Sequence, residues 1–178
     1  DGRAYHTDPN FLDRHTLHGG TAGTHARLWR IAARRPDAVL LVLELPDGDM
    51  GFPGHLRIEA QISLAHRALR LSLRAETDAP TPCSHHGFFN LDGGGDIRQH
   101  RLEIAADHYL PVDADLIPTG QIAPVTGTGF DFRRARPIDP GGYDHNFCLS
   151  DGPRPLRDIA RLTGRSGIAM TVATTACG

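Results

Sequence analysis

Apolar and polar side chains alternate with a period of two along most of this chain. The clearest run is residues 56–75, where Leu56, Ile58, Ala60, Ile62 and Leu64 alternate with Arg57, Glu59, Gln61 and Ser63. The alternation resumes at Leu69, Leu71 and Leu73 after Ala65-His66-Arg67-Ala68. Side chains on a strand point to opposite faces in turn, so this pattern predicts a hairpin with one buried face. Upstream, Trp29 and Ile31 stand at strand spacing, and residues 38–45 form a mostly apolar strand. Residues 46–49 and 51–54, rich in Pro, Gly and Asp, read as turns.

Farther along, residues 92–96 form a loop by composition, and Leu102, Ile104 and Ala106 alternate again, extended by residues 109–112. Phe130 and Phe132 flank Asp131 at strand spacing, residues 144–149 read as a strand entering from Gly141-Gly142, and residues 158–163 and 168–174 are further candidates. Proline and glycine recur too often in residues 118–140 for a long helix, and nowhere do apolar residues repeat convincingly at helical spacing. The expectation is an all-β antiparallel sandwich or barrel, formed by residues 1–178 as one domain.

Composition narrows the partners. With 19 basic and 21 acidic residues the formal charge is −2, and no run of like charges steers the chain toward nucleic acid or an anionic membrane. A neutral small molecule is the more natural partner. No apolar segment reaches the roughly 20 residues that span a bilayer, and the start from Asp1 to His6 lacks the regions of a signal peptide. Cys83, Cys148 and Cys177 are odd in number and widely spaced, which suggests reduced thiols in a cytoplasmic protein. Every basic residue is arginine, so a Schiff-base lysine is excluded.

Eleven histidines is a high number for 178 residues. Two stand together in the run Thr81-Pro82-Cys83-Ser84-His85-His86-Gly87-Phe88-Phe89-Asn90-Leu91. If that run is a strand, His86, Phe88 and Asn90 share one face and His85 faces the other way. Another, His18, precedes the permissive pair Gly19-Gly20, which suits a tight turn or a close approach to a ligand. The polar set that could converge is His18, His86, Asn90 and Asp144, and imidazole can give or take a proton near neutral pH. Each histidine could equally be an ordinary turn or core residue. Metal-ligand spacings such as H-x-H or H-E-x-x-H do not occur among them, so no metal is expected. There is no G-x-S-x-G nucleophile motif, and Gly93-Gly94-Gly95 lacks the residues of a phosphate loop.

Taken in order, these pieces resemble the aldose 1-epimerase (galactose mutarotase) family. Leu17-His18-Gly19-Gly20 with Trp29 is similar to the family's Leu-His-Gly-Gly segment and downstream tryptophan, and residues 46–54 to its Asp-Gly-x-x-Gly-aromatic-Pro-Gly turn. Residues 81–91 resemble its Thr-Asn-His-x-Tyr-Phe-Asn-Leu strand, with His85 in place of the asparagine and Phe88 in place of the tyrosine. Residues 109–113 with 117–120, then 128–133 and 142–147, resemble later segments in the expected order. The resemblance implies an incomplete form of the galactose mutarotase-like supersandwich and interconversion of the α and β anomers of an aldohexose, galactose or glucose, without cofactor or metal. It implies that His86 protonates the ring oxygen and that His18 and Asp144 hydrogen-bond the sugar. It also implies a catalytic glutamate, to which none of Glu44, Glu59, Glu76 and Glu103 corresponds, and a substrate-binding arginine, for which no match stands here. Impaired activity is therefore expected, and a catalytically silent sugar-binding or regulatory domain on the same scaffold is the main alternative. A cupin-like metal enzyme is a more distant one.

Overall fold

A computed structural model describes residues 2–79, 81 and 83–178. Asp1, the first residue of the segment 1–6, and Pro82, inside the expected strand 81–91, lie outside the described residues. The chain divides into two compact units, Asp1–His86 and Gly87–Gly178, each with its own antiparallel sheets and no long helix among the described residues.

In the first unit the period-two segments become one four-stranded sheet in sequence order. Strand β1 (Arg30–Arg35) pairs with β2 (Ala38–Leu45), β2 with β3 (Leu56–Ala65), and β3 with β4 (Ala68–Thr77). The β3–β4 register runs unbroken from Leu56↔Thr77 to Ala65↔Ala68. Two residues, His66 and Arg67, close the hairpin, and His66 takes a left-handed backbone (φ 54°), as tight hairpin turns require. Val42, Leu43, Leu56, Ile58 and Ala60 are buried.

Here the expectation of one buried hairpin face is corrected. Its apolar side is buried from Leu56 to Ala60 and emerges at Leu64, while every residue of β4 is exposed, Leu69 and Leu73 included. Alternation fixes which side chains share a face; it does not fix how far along the strand that face is covered.

The second unit is built from shorter pieces. Its strands are β5 (Arg101–Ile104), β6 (His108–Tyr109), β7 (Ala123–Pro124), β8 (Arg136–Pro137), β9 (Phe147–Cys148), β10 (Arg157–Thr163) and β11 (Ala169–Thr174). They form one sheet in the order β11-β10-β5-β8 and another in the order β7-β6-β9. Ala106, Val125, Phe132 and Leu162 are its buried apolar residues, and His100 is fully buried beside them. The His100 Nε2 accepts the Leu91 N–H at 3.0 Å, which caps an otherwise lone donor. Next to it, Asp92 accepts the Arg165 and Ser166 N–H groups at 3.1 and 3.0 Å and so pins the β10–β11 turn. Those bonds hold the Asp92 carboxyl below its usual range, the Ser166 N–H first among them.

Several expected strands shrink. Residues 83–90 form no strand, residues 130–132 form none, 144–149 contract to Phe147–Cys148, and 109–112 reduce to β6. Around Phe130 local side-chain bonds take the place of a ladder: the Thr128 hydroxyl accepts the Phe130 N–H at 3.0 Å, and Asp131 accepts the Arg133 N–H at 3.3 Å.

Candidate active site

His18 sits on a turn that its own side chain does not favour. His18, Gly19 and Gly20 take left-handed backbone in succession (φ 52°, 83° and 89°), and the Gly20 N–H closes the turn on the Leu17 carbonyl at 3.1 Å. Asn10 brackets it from outside: its Oδ1 accepts the Leu17 N–H at 2.7 Å and its Nδ2 donates to the Leu17 carbonyl at 3.0 Å. Asp8 braces the other side by accepting the Thr21 N–H at 2.6 Å. Thr21, through its hydroxyl and then its N–H, holds the Asp8 carboxyl below the usual range. Gly23 must be glycine, because a Cβ there would overlap the His18 carbonyl. The chain is then tied down by Arg27, whose guanidinium reaches both Asp49 oxygens at 2.8 and 2.9 Å and the Ala22 carbonyl at 2.7 Å, and by Trp29, whose Nε1 donates to Thr24.

His86 arrives on a separate arm of the same unit. The turn at residues 46–54 fixes where that arm begins: Asp47 accepts the Gly54 N–H at 2.6 Å, Asp78 accepts the His55 N–H at 2.8 Å, and the Thr81 hydroxyl donates to the Pro53 carbonyl at 2.8 Å. A Cβ on Gly54 would crowd Ala79 and Asp78. Among the described residues from there to His86 no ladder forms, and the His86 Nε2 lies 3.5 Å from the Ser84 hydroxyl.

The two arms meet at their imidazoles. The His18 and His86 rings lie edge to face with centroids 5.2 Å apart, and His25 lies edge to face with His18 at 6.3 Å. All three are exposed, so the group is open to a solute. It is His86, rather than His85, that makes the ring contact with His18. The strand from which the two histidines were expected to diverge is absent among the described residues. Among the described residues no group of three or more His, Cys, Asp or Glu side chains is placed to hold a metal ion. His25 went unnoticed in the sequence because it reaches His18 through a run of tight turns, a route that leaves no regular spacing to read.

Asp144 belongs to the second unit and is exposed there. Its neighbours in sequence are the packed ones. Tyr143 meets Phe132 and Phe130 edge to face at 5.0 and 5.7 Å, and His145 lies 4.3 Å from the Phe130 ring. Phe130 in turn stacks on Tyr109 at 4.4 Å. With both flanking rings fixed in that cluster, the carboxylate between them is left outward. Phe88 is almost fully exposed (93%), and Asn90 donates to the Gly95 carbonyl at 3.1 Å.

The sequence profile of the aldose 1-epimerase family matches residues 1–177. The chain belongs to that family. Rat galactose mutarotase is 41% identical over 164 residues, covering 85% of this chain and 47% of the rat protein. The aldose 1-epimerase of Escherichia coli K12 is 41% identical over 148 residues, 75% of this chain and 43% of its own. Among solved structures, an aldose epimerase homologue from C. elegans superposes with a TM-score of 0.85 at 30% identity, covering 96% of this chain and 55% of that one. The chain thus spans about half the length of the curated relatives it matches. The all-β antiparallel class expected from the period-two pattern is that of the family.

Proposed function

We propose that this chain carries part of an aldose 1-epimerase site that equilibrates the α and β anomers of an aldohexose, galactose or glucose, with residues 1–178 acting as one domain. The observation that carries the reading is the edge-to-face approach of His18 and His86, two imidazoles brought together by separately anchored arms. In the proposed reaction the His86 imidazolium gives its proton to the ring oxygen while a base removes the proton of the anomeric hydroxyl. The C1–O5 bond breaks to give the open-chain aldehyde, the C1–C2 bond rotates, and the reverse transfers close the ring on the other face. His18 and Asp144 hold sugar hydroxyls in this reading.

None of the four glutamates can be assigned as that base. Glu44 and Glu59 are both bound by Arg57, Glu76 by Arg74, and Glu103 lies in β5 opposite Arg161. A missing general base removes on the order of 100- to 10,000-fold of rate. Polarimetry on freshly dissolved α-galactose and α-glucose is expected to show turnover depressed by about that factor relative to a complete family enzyme. Family-like turnover would overturn the impairment. His86→Ala should abolish what turnover remains, while His85→Ala leaves it; equal effects would remove His86 from its role. The glutamate pairing also favours a second reading, a sugar-binding domain without catalysis. Calorimetric binding of galactose or glucose with no change in mutarotation rate would select it.

A further inference from the structure

The outer edge of β4 is ten residues long, exposed throughout, and paired with no strand among the described residues. Which backbone groups face that edge follows from the ladder behind it. The Leu64 N–H donates to the Asp37 carbonyl at 2.8 Å, away from β4. The residue opposite Leu64 is Leu69, so Leu69 is a non-hydrogen-bonded partner within the hairpin, and its own N–H and C=O face outward. By the same alternation Leu71, Leu73 and Ala75 also present free donors and acceptors at the edge. Leu69, Leu71 and Leu73 at the same time carry the apolar side chains that stand exposed on one face of the strand. A long, unpaired, apolar edge of this kind is a template for another strand.

We propose that β4 is an interface between two copies of this chain, paired edge to edge and antiparallel about a two-fold axis at Leu73, so that two four-stranded sheets become one. The charge pattern favours that register and that occupant. Centred on Leu73, Arg70 falls opposite Glu76 of the second copy, Ser72 opposite Arg74, Leu71 opposite Ala75, and Leu73 opposite itself. The Arg70–Glu76 contact occurs twice by symmetry, and opposite charges facing across strands are favourable. Centred on Ser72, Arg70 would instead face Arg74, a like-charge pair that opposes the register. A two-fold axis at Leu73 also falls on an outward-facing residue, so the central pair exchanges both backbone hydrogen bonds.

Sedimentation and light scattering of the 178-residue chain up to about 100 µM test this, since assembly follows protomer concentration. A dimer is expected. Glu76→Arg should weaken it at least tenfold, and the swap Arg70→Glu with Glu76→Arg should restore it, with circular dichroism unchanged in both. Leu71→Pro removes an outward donor that the hairpin does not use and should give monomer. Leu73→Cys should form a 73–73 disulfide on oxidation with peroxide, identified by mass spectrometry, because a hydrogen-bonded pair places Cα atoms about 5.5 Å apart, within disulfide reach. A chain that stays monomeric overturns the proposal. A dimer that the swap does not rescue, or that yields no 73–73 link, overturns it equally.

Discussion

In residues 1–86 three strands of eight to ten residues satisfy one another's backbone groups over long, regular ladders, whereas in residues 87–178 four of the seven strands are only two residues long. The second unit makes up the difference with side chains. Arg133 reaches Asp131, Asp107 and Thr126; Arg136 lies over the Phe132 ring at 4.0 Å and donates to the Asp139 carboxylate and to the Asp131 and Gly129 carbonyls; and Arg157 gathers the carbonyls of Leu149, Thr174 and Ala176. Where ladders are long, side chains are free to be merely apolar; where they are short, individual polar side chains hold the chain.

That contrast can be broken most strongly at Phe132, which is fully buried and packs against Tyr143, Phe147 and Arg136. Phe132→Ala should cost about 3–5 kcal/mol in urea unfolding. In the first unit Ile58→Ala should cost about 2–5 kcal/mol, while Leu64→Ala, on the same face of the same strand but 61% exposed, should stay within about 0.5 kcal/mol at monomeric concentrations. Equal costs at 58 and 64 would mean that the face is covered along its whole length.

Arg157→Met sharpens the comparison. Loss of hydrogen bonds from a charged donor is worth about 1.5–3 kcal/mol, and hydrogen exchange should speed up at residues 149–150 and 174–176 with no change in β2 or β3. The smallest effect is expected in acid. Hydrogen bonds from Arg133 lower the Asp131 carboxyl to about 2. A depressed carboxyl contributes stability that is full above its unfolded value, near 3.8, and is lost as pH falls through about 2. Melting temperatures followed from about pH 5 to pH 2 should therefore fall, and Asp131→Asn should flatten part of that fall.

The same contrast explains what the sequence disclosed. Residues 38–45 were legible as an unbroken apolar run, and residues 56–65 and 68–77 by their alternation, although only the first half of β3 has its apolar face covered. Residues 130–132 have the same Phe-Asp-Phe alternation but answer to Thr128 and Asp131, whose short side chains capture nearby N–H groups. Residues 83–90 were expected to be extended, yet a strand needs a partner and none pairs with them among the described residues. For the candidate site, the motif at residues 17–20 located a real turn, and its neighbour His25 stayed hidden because contact through turns has no period.

The left-handed backbone at His18 has a consequence for how this position tolerates change. A side chain with a Cβ is held there against roughly 1–2 kcal/mol of steric preference, so glycine would relax the turn. The freedom glycine regains in the unfolded chain, about 0.5–1 kcal/mol, offsets about half of that relief. A lineage or a laboratory screen that rewarded heat resistance alone would find His18→Gly mildly favourable, and would discard an imidazole without any signal that it had done so.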